Sequence, residues 1–185
     1  MIGIAAASSV VNQKNLKKSL DRFANWGVPV AVADQVRMAQ RYLAGPDHER
    51  ALALDRFARD SQIGTIWCAR GGYGTTRLLP LLDKLRTTEA LRRNPKLLIG
   101  YSDVTGLHLF LNQQLGLPTL HAVMPGTPRF ASLSPRLDKL LRATLAGRLA
   151  LGKNSHTAEW KPKALIAPRH ERLVHRQPEG ARGEG

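Results

Sequence analysis

Short apolar runs alternate with longer amphipathic stretches along the first 124 residues, and this rhythm restricts the chain to one class of fold. Five runs have strand length: "IGIAAAS" (2–8), "VPVAVA" (28–33), "IGTIWCA" (63–69), "PKLLIG" (95–100) and "PTLHAVM" (118–124). The segments between them have helical periodicity. In "NLKKSLDRFANW" (15–26), Leu16, Leu20, Phe23 and Ala24 share one face, and Gly27 is placed to stop the helix. "GPDHERALALDRFARD" (45–60) opens on Pro46 and Asp47 and carries Ala51, Leu54, Phe57 and Ala58 on one stripe. "TTRLLPLLDKL" (75–85) predicts a helix with Pro80 in its first turn or at a kink. Residues 103–115 predict a helix closed by Gly116. "SPRLDKLLRATLAG" (134–147) predicts another, with Ser134 as cap, Pro135 in first position, and Leu137, Leu140, Leu141 and Leu145 on one side.

Strands separated by helices of this length predict an α/β domain, a parallel sheet of about five strands flanked by helices. Its binding residues gather beyond the carboxyl ends of the strands. The expected domain spans 1–149. Beyond it the character changes: "KNSHTAEWKPKALIAPRHERLVHRQPEGARGEG" holds three prolines, weak periodicity and a polar ending, so residues 150–185 are expected to form an irregular, basic, poorly ordered tail. Only "ALIA" (164–167) reads as structured there.

Composition excludes several classes of function. The 185 residues are 43% apolar and 23% charged, and no stretch reaches the ~18 apolar residues of a membrane span. "MIGIAAASSVV" has no basic residue ahead of its apolar run, so it reads as a first strand rather than a signal peptide, and a cytoplasmic location is expected. Cys68 is the single cysteine, which excludes an internal disulfide and a cysteine-rich zinc site; lying in an apolar run, it is expected to be a buried, inert thiol. The net charge of +14 raises nucleic acid as a partner. Its distribution opposes that, because residues 1–130 hold 17 of the 28 basic and 9 of the 14 acidic residues, leaving the short tail as the denser part. No aromatic interleaving or nucleic-acid-binding motif accompanies the charge.

Two turns could carry chemistry. "ARGGYGTTR" (69–77) places three glycines after a strand, where a sharp turn exposes consecutive N–H groups ahead of a helix start. It lacks the Gly-Lys-Ser/Thr of a P-loop, and Gly71, Gly72 and Gly74 miss the dinucleotide spacing, which discourages a nucleotide-binding reading. A turn without a ligand, and solvated charges at Arg70 and Arg77, remain the alternatives. "GYSD" (100–103) leaves Ser102 on the connection from strand to helix, near free helix N–H groups. The logic is that of a nucleophile elbow, although Val104 stands where the usual pattern has glycine. The residues alone equally fit Ser102 or Asp103 as a helix cap. A serine nucleophile needs a base. Of the six histidines, His121 at a strand end could face the same rim, His108 lies in the following helix, and His156, His170 and His175 lie in the tail. No metal-binding spacing appears.

"YLAGPDHERALAL" (42–54), "IWCARGGYGTTRLLPLLD" (66–83) and "PKLLIGYSDVTGLHLFLNQQLGLPTLHAVM" (95–124) closely resemble, in order and spacing, the N-terminal half of the LD-carboxypeptidases, or murein tetrapeptide carboxypeptidases. The resemblance covers about residues 2–130. It implies a flavodoxin-like N-terminal domain and a cofactor-free, cytoplasmic serine peptidase of peptidoglycan recycling that removes the terminal D-alanine from muropeptide tetrapeptides. It further implies Ser102 as nucleophile, an oxyanion hole made by the backbone N–H groups of Gly72 and Asp103, and weaker substrate contacts at Arg70, Tyr73 and His121. Family members often dimerise, so a homodimer is also an expectation. The family's glutamate and histidine come from a C-terminal domain that residues 131–185 do not match, and "HAVM" replaces its His-Gly-Pro-Met. The tail from about Gly152 is therefore expected to derive from a shifted reading frame or a truncated gene; the absence of a family-like C-terminal domain from the other frames of the DNA would refute this. The chain is expected to be inactive, with a non-catalytic muropeptide-binding remnant as the alternative.

Overall fold

A computed structural model describes residues 1–145 together with the backbone of two short segments, 148–149 and 158–159. Five strands, β1 (Ile2–Ala5), β2 (Val30–Val32), β3 (Thr65–Cys68), β4 (Leu97–Gly100) and β5 (Thr119–His121), form an all-parallel sheet in the order β2-β1-β3-β4-β5. The register sets Ile4, Trp67 and Ile99 abreast on one face, all without solvent exposure. Ala5, Ile66, Cys68 and Leu98 point to the other face. Both faces are covered, as the continuous apolar runs require.

Helices α1 (Gln13–Asn25), α6 (Pro128–Ala131) and α7 (Pro135–Leu145) cover the Trp67 face. Phe23, Trp67 and Phe130 meet there with ring centroids 5.2–5.3 Å apart. Helices α2 (Asp47–Arg59), α3 (Leu79–Lys84), α4 (Thr87–Arg93) and α5 (Thr105–Leu115) cover the opposite face. The result is a three-layer α/β/α domain of flavodoxin-like strand order. The expected stop signals operate: Gly27 (φ +68°) and Gly116 (φ +63°) are left-handed just past α1 and α5.

Three local features depart from the pattern. The segment expected as one helix over 75–85 is a 3₁₀ turn, Thr76–Leu78, running into α3 with Pro80 in its first turn. Left-handed Arg86 (φ +54°) then separates α3 from α4, a helix that periodicity misses because tertiary contacts hold its seven residues. Ala90 and Leu91 are buried, and the Thr87 hydroxyl donates to Asp55 at 2.8 Å. Along α7, Leu141 is buried but Leu140 is 45% exposed, so the apolar stripe is rotated from the expected one. Two-residue strands β6 (Arg148–Leu149) and β7 (Ala158–Glu159) pair antiparallel. The rest of the expected tail, "ALIA" included, lies outside the described residues. Among the described residues no helix is long and apolar enough to cross a membrane.

Candidate active site

Both glycine- or serine-bearing turns lie at the carboxyl end of the sheet, after β3 and β4. Gly100 closes β4, and a Cβ there would lie 2.6 Å from Val104 Cγ1, so glycine alone lets the next turn fold tightly over the strand end. Tyr101 is extended, and Ser102 takes a left-handed backbone (φ +62°) before a 3₁₀ turn, Ser102–Val104, leads into α5. Ser102 is exposed. A non-glycine residue in this conformation costs about 1–2 kcal/mol. Strain of that kind at an exposed serine between strand and helix is the geometry of a nucleophile elbow. Ser102→Gly is accordingly expected to melt higher than Ser102→Ala, by a stability difference of about 1 kcal/mol; equal melting temperatures would show that the backbone is unstrained.

The helix-cap alternative does not describe these side chains. Neither the 3₁₀ turn nor α5 receives a side-chain cap. Asp103 reaches across the site instead: its Oδ2 accepts the Ser8 hydroxyl at 2.7 Å and the Thr75 amide at 3.0 Å, while the Thr75 hydroxyl donates to its carbonyl at 2.6 Å. Ser8 and Thr75 are fully buried.

The glycine turn packs directly against the serine. A Cβ on Gly71 would lie 3.1 Å from Ser102 Cβ and from the Tyr101 carbonyl oxygen. Gly72 (φ +124°) has the Ser9 and Tyr42 hydroxyls 2.6 Å from the place of its missing Cβ. The Ser9 hydroxyl donates to the Gly71 carbonyl at 2.6 Å, tying the end of β1 to this turn. Among the described residues, the N–H groups of Gly72 and Asp103 meet no protein acceptor. Donors left free on two adjoining turns can receive an anion or a developing oxyanion.

Beneath the turn lies a cation that helical periodicity hid inside α2. Arg50 has no solvent exposure and donates to the carbonyls of Ala7 and Gly74 and to the Asp47 carboxylate. Arg77 completes the pair with Asp47 at 2.7 Å. Burial would raise the Asp47 pKa, but hydrogen bonds from Arg77 and Arg50 outweigh it and hold the carboxyl below its ordinary 3.8. The only sequence signal for Arg50 is a charge within an otherwise apolar stripe.

The histidines occupy other positions. His108 is buried, its Nε2 lies 3.1 Å from the Gly100 carbonyl, and its Nδ1 has no partner among the described residues. His121 is exposed at the end of β5, its ring 6.0 Å from that of Tyr101. Both lie beside Gly100, at the end of β4, and among the described residues no histidine or glutamate hydrogen-bonds the Ser102 hydroxyl. His156, His170 and His175 lie outside the described residues. Arg70 is exposed and donates to the Val10 carbonyl at 2.9 Å, and Tyr73 is 56% exposed beside the glycine turn. A cleft of about 310 Å³, lined by Tyr101, His121, Val123, Arg129 and Leu140 among others, opens next to the serine turn. A larger groove of about 1420 Å³ sits at the opposite, amino ends of the strands, around Met1, Thr65 and Pro95. Cys68 is fully buried, which pushes its thiol up to about 12, with the Asp103 charge adding to the effect. It is an inert thiol, as its apolar setting implied. Among the described residues no group of three or more His, Cys, Asp or Glu is placed to hold a metal ion.

Burial lowers the His108 pKa below its ordinary 6.5, against the opposing pull of the Gly100 carbonyl. The unfolded chain therefore takes up this proton first. Stability from neutral His108 is complete above pH 6.5 and is lost as pH falls below it. Melting temperatures are expected to fall between about pH 7.5 and 5.5, and His108→Gln to flatten that slope. An unchanged slope in the variant would assign the dependence to other groups.

The chain matches the LD-carboxypeptidase N-terminal domain over residues 2–122. It is 37% identical over 148 residues to a carboxypeptidase homologue of Streptomyces coelicolor, covering 78% of this chain and 46% of that protein. With the murein tetrapeptide carboxypeptidase of Pseudomonas aeruginosa it shares 33% identity over 146 residues, again 78% of this chain and 46% of the other. In three dimensions it is similar to the microcin C7 self-immunity protein MccF in its inactive mutant apo state, with a TM-score of 0.71 and 25% identity over 78% of this chain and 44% of that one. The chain thus spans about half the length of the curated relatives it matches. With the strand order, the two adjoining turns and the family match in agreement, the chain belongs to the LD-carboxypeptidase family.

Proposed function

We propose that this chain supplies the nucleophile-bearing half of a serine-type LD-carboxypeptidase of peptidoglycan recycling, acting on muropeptide tetrapeptides to release their terminal D-alanine. The observation that carries the reading is exposed, left-handed Ser102, set against the glycine turn in a chain of this family. In this reading Ser102 Oγ attacks the carbonyl joining the L-centre of meso-diaminopimelate to D-alanine. The serine hydroxyl proton is transferred to the departing nitrogen as the C–N bond breaks and D-alanine leaves, and water then hydrolyses the acyl-enzyme, returning a proton to Ser102 Oγ. The N–H groups of Gly72 and Asp103 receive the oxyanion, and Arg70, Tyr73 and His121 border the approach for the substrate. No cofactor takes part in this scheme.

What the described residues do not provide is a base for Ser102, so the chain alone is read as catalytically silent. The same observation favours the second reading, a muropeptide-binding remnant. D-alanine release from disaccharide-tetrapeptide, measured with Ser102→Ala as control and with calorimetric binding alongside, tests both. Binding with negligible release supports a silent half-site. Rapid release abolished by Ser102→Ala would overturn the silence but support the nucleophile, and absence of both binding and release would overturn the substrate assignment.

A further inference from the structure

We propose that the Asp103 carboxylate is a positioning residue that fixes the oxyanion hole by bracing the serine turn against two other turns; this rests on the reading of Ser102 as nucleophile. Asp103 Oδ2 receives two donors, the Ser8 hydroxyl at 2.7 Å and the Thr75 amide at 3.0 Å. These bonds span 95 and 28 residues of sequence. The Thr75 hydroxyl returns a third bond, 2.6 Å, to the Asp103 carbonyl. The residue whose N–H is assigned to the oxyanion is therefore held from both its side chain and its main chain. Ser9, the neighbour of Ser8, holds Gly71 at 2.6 Å, so the glycine turn and the serine turn hang from one frame at the end of β1.

Chemistry explains why this brace is a carboxylate. A negative charge one residue from a forming oxyanion opposes it, so an acid there needs a compensating gain. Both donors, a hydroxyl and a main-chain amide, converge on one carboxylate oxygen, and the two residues supplying them are fully buried, where charge-assisted bonds are stronger and better directed. The surroundings are shaped to admit them. A Cβ on Gly106 would lie 3.0 Å from Thr75 Oγ1, so α5 carries glycine where the Thr75 hydroxyl passes.

The test compares two ligands of the chain. One is disaccharide-tetrapeptide. The other is a peptidyl boronic acid in which boron replaces the scissile carbonyl carbon. With the boronic acid, Ser102 Oγ forms a B–O bond using its lone pair, boron becomes tetrahedral and negatively charged, and the hydroxyl proton passes to buffer. Boron NMR reports the tetrahedral adduct, and calorimetry gives both affinities.

Asp103→Ala is expected to bind the tetrapeptide within about threefold of wild type and to lose roughly 10–100-fold in boronic acid affinity, the scale of a misplaced catalytic group. Asp103→Asn keeps an acceptor for the Thr75 amide and a polar contact for Ser8, and is expected to recover boronic acid affinity to within about fivefold of wild type. If Asp103→Ala fails to fold, Ser8→Ala deletes one bond alone, with an expected loss of about 3–10-fold for the boronic acid only. Equal weakening of both ligands, or an unaffected boronic acid, would overturn the proposal. A tetrahedral adduct that also forms in Ser102→Ala, or none in wild type, would instead remove the nucleophile reading on which it rests.

Discussion

D-alanine release by the chain alone is expected to run about 10⁴–10⁶-fold below that of the full-length Pseudomonas aeruginosa relative under matched conditions. That ratio corresponds to roughly 5.5–8 kcal/mol of transition-state stabilisation, the scale of removing a base and its orienting acid from a serine triad. On the proposed reading, Ser102 and the Gly72 and Asp103 amides would keep some residual stabilisation of the oxyanion. Triad members act as a unit, which makes a second, sharper expectation. Ser102→Ala in this chain should lower residual release by less than about tenfold, because a hydroxyl without a base contributes little. A loss of several orders of magnitude would mean that a base reaches Ser102 after all, from a second copy or from residues beyond 145. Parallel assays of wild type and variant, with D-alanine quantified enzymatically, decide between these outcomes.

The largest effect on stability is expected at Arg50. Its guanidinium has no exposure and satisfies two main-chain carbonyls, of Ala7 and Gly74, besides the Asp47 carboxylate. Arg50→Met fills most of the volume but leaves both carbonyls without their donor, at a cost of about 3–5 kcal/mol. Since a domain is stable by only about 5–15 kcal/mol, that is a substantial share. The expected fall in Tm is about 6–20 °C for a chain of this size. Arg77 still pairs with Asp47 in the variant, so the loss should trace to the carbonyls and the glycine turn rather than to an abandoned acid. Arg50→Lys retains a charge but not the fork that spans two acceptors, and should fall between wild type and Arg50→Met. A melting temperature unchanged in Arg50→Met would show that the guanidinium is dispensable to the fold.

The parts legible in the sequence are those that depend on local pattern. Apolar runs located all five strands, and Gly27, Pro80 and Gly116 marked helix ends where the backbone uses them. The pattern did not reveal α4, whose identity as a helix depends on Ala90, Leu91 and Thr87 meeting α2. Nor could it reveal the Asp103 brace, because Ser8 and Thr75 are brought to it only by the folded sheet. Serine and aspartate both suit a helix cap, but Asp103 finds its partners across the site rather than in its own helix. Arg50 was hidden for the opposite reason: an arginine in a helix is ordinarily a solvated charge, and only the crossing of β1 and the glycine turn makes it a core residue. The left-handed backbone at Ser102 left no trace in composition, since serine has no preference for that conformation.

The strand order has a consequence for how the site comes into being. After β1, each new strand adds at an open edge: β2 on one side, then β3, β4 and β5 outward on the other. No strand must be inserted between two already paired. During synthesis, which releases the chain from its amino end, the sheet can therefore grow by simple accretion. In that order of growth the Ser8 and Ser9 segment and Arg50 precede β3 and its glycine turn, and β4 with Ser102 and Asp103 follows them. Ser102 thus comes last in the chain of the segments that meet at this end of the sheet.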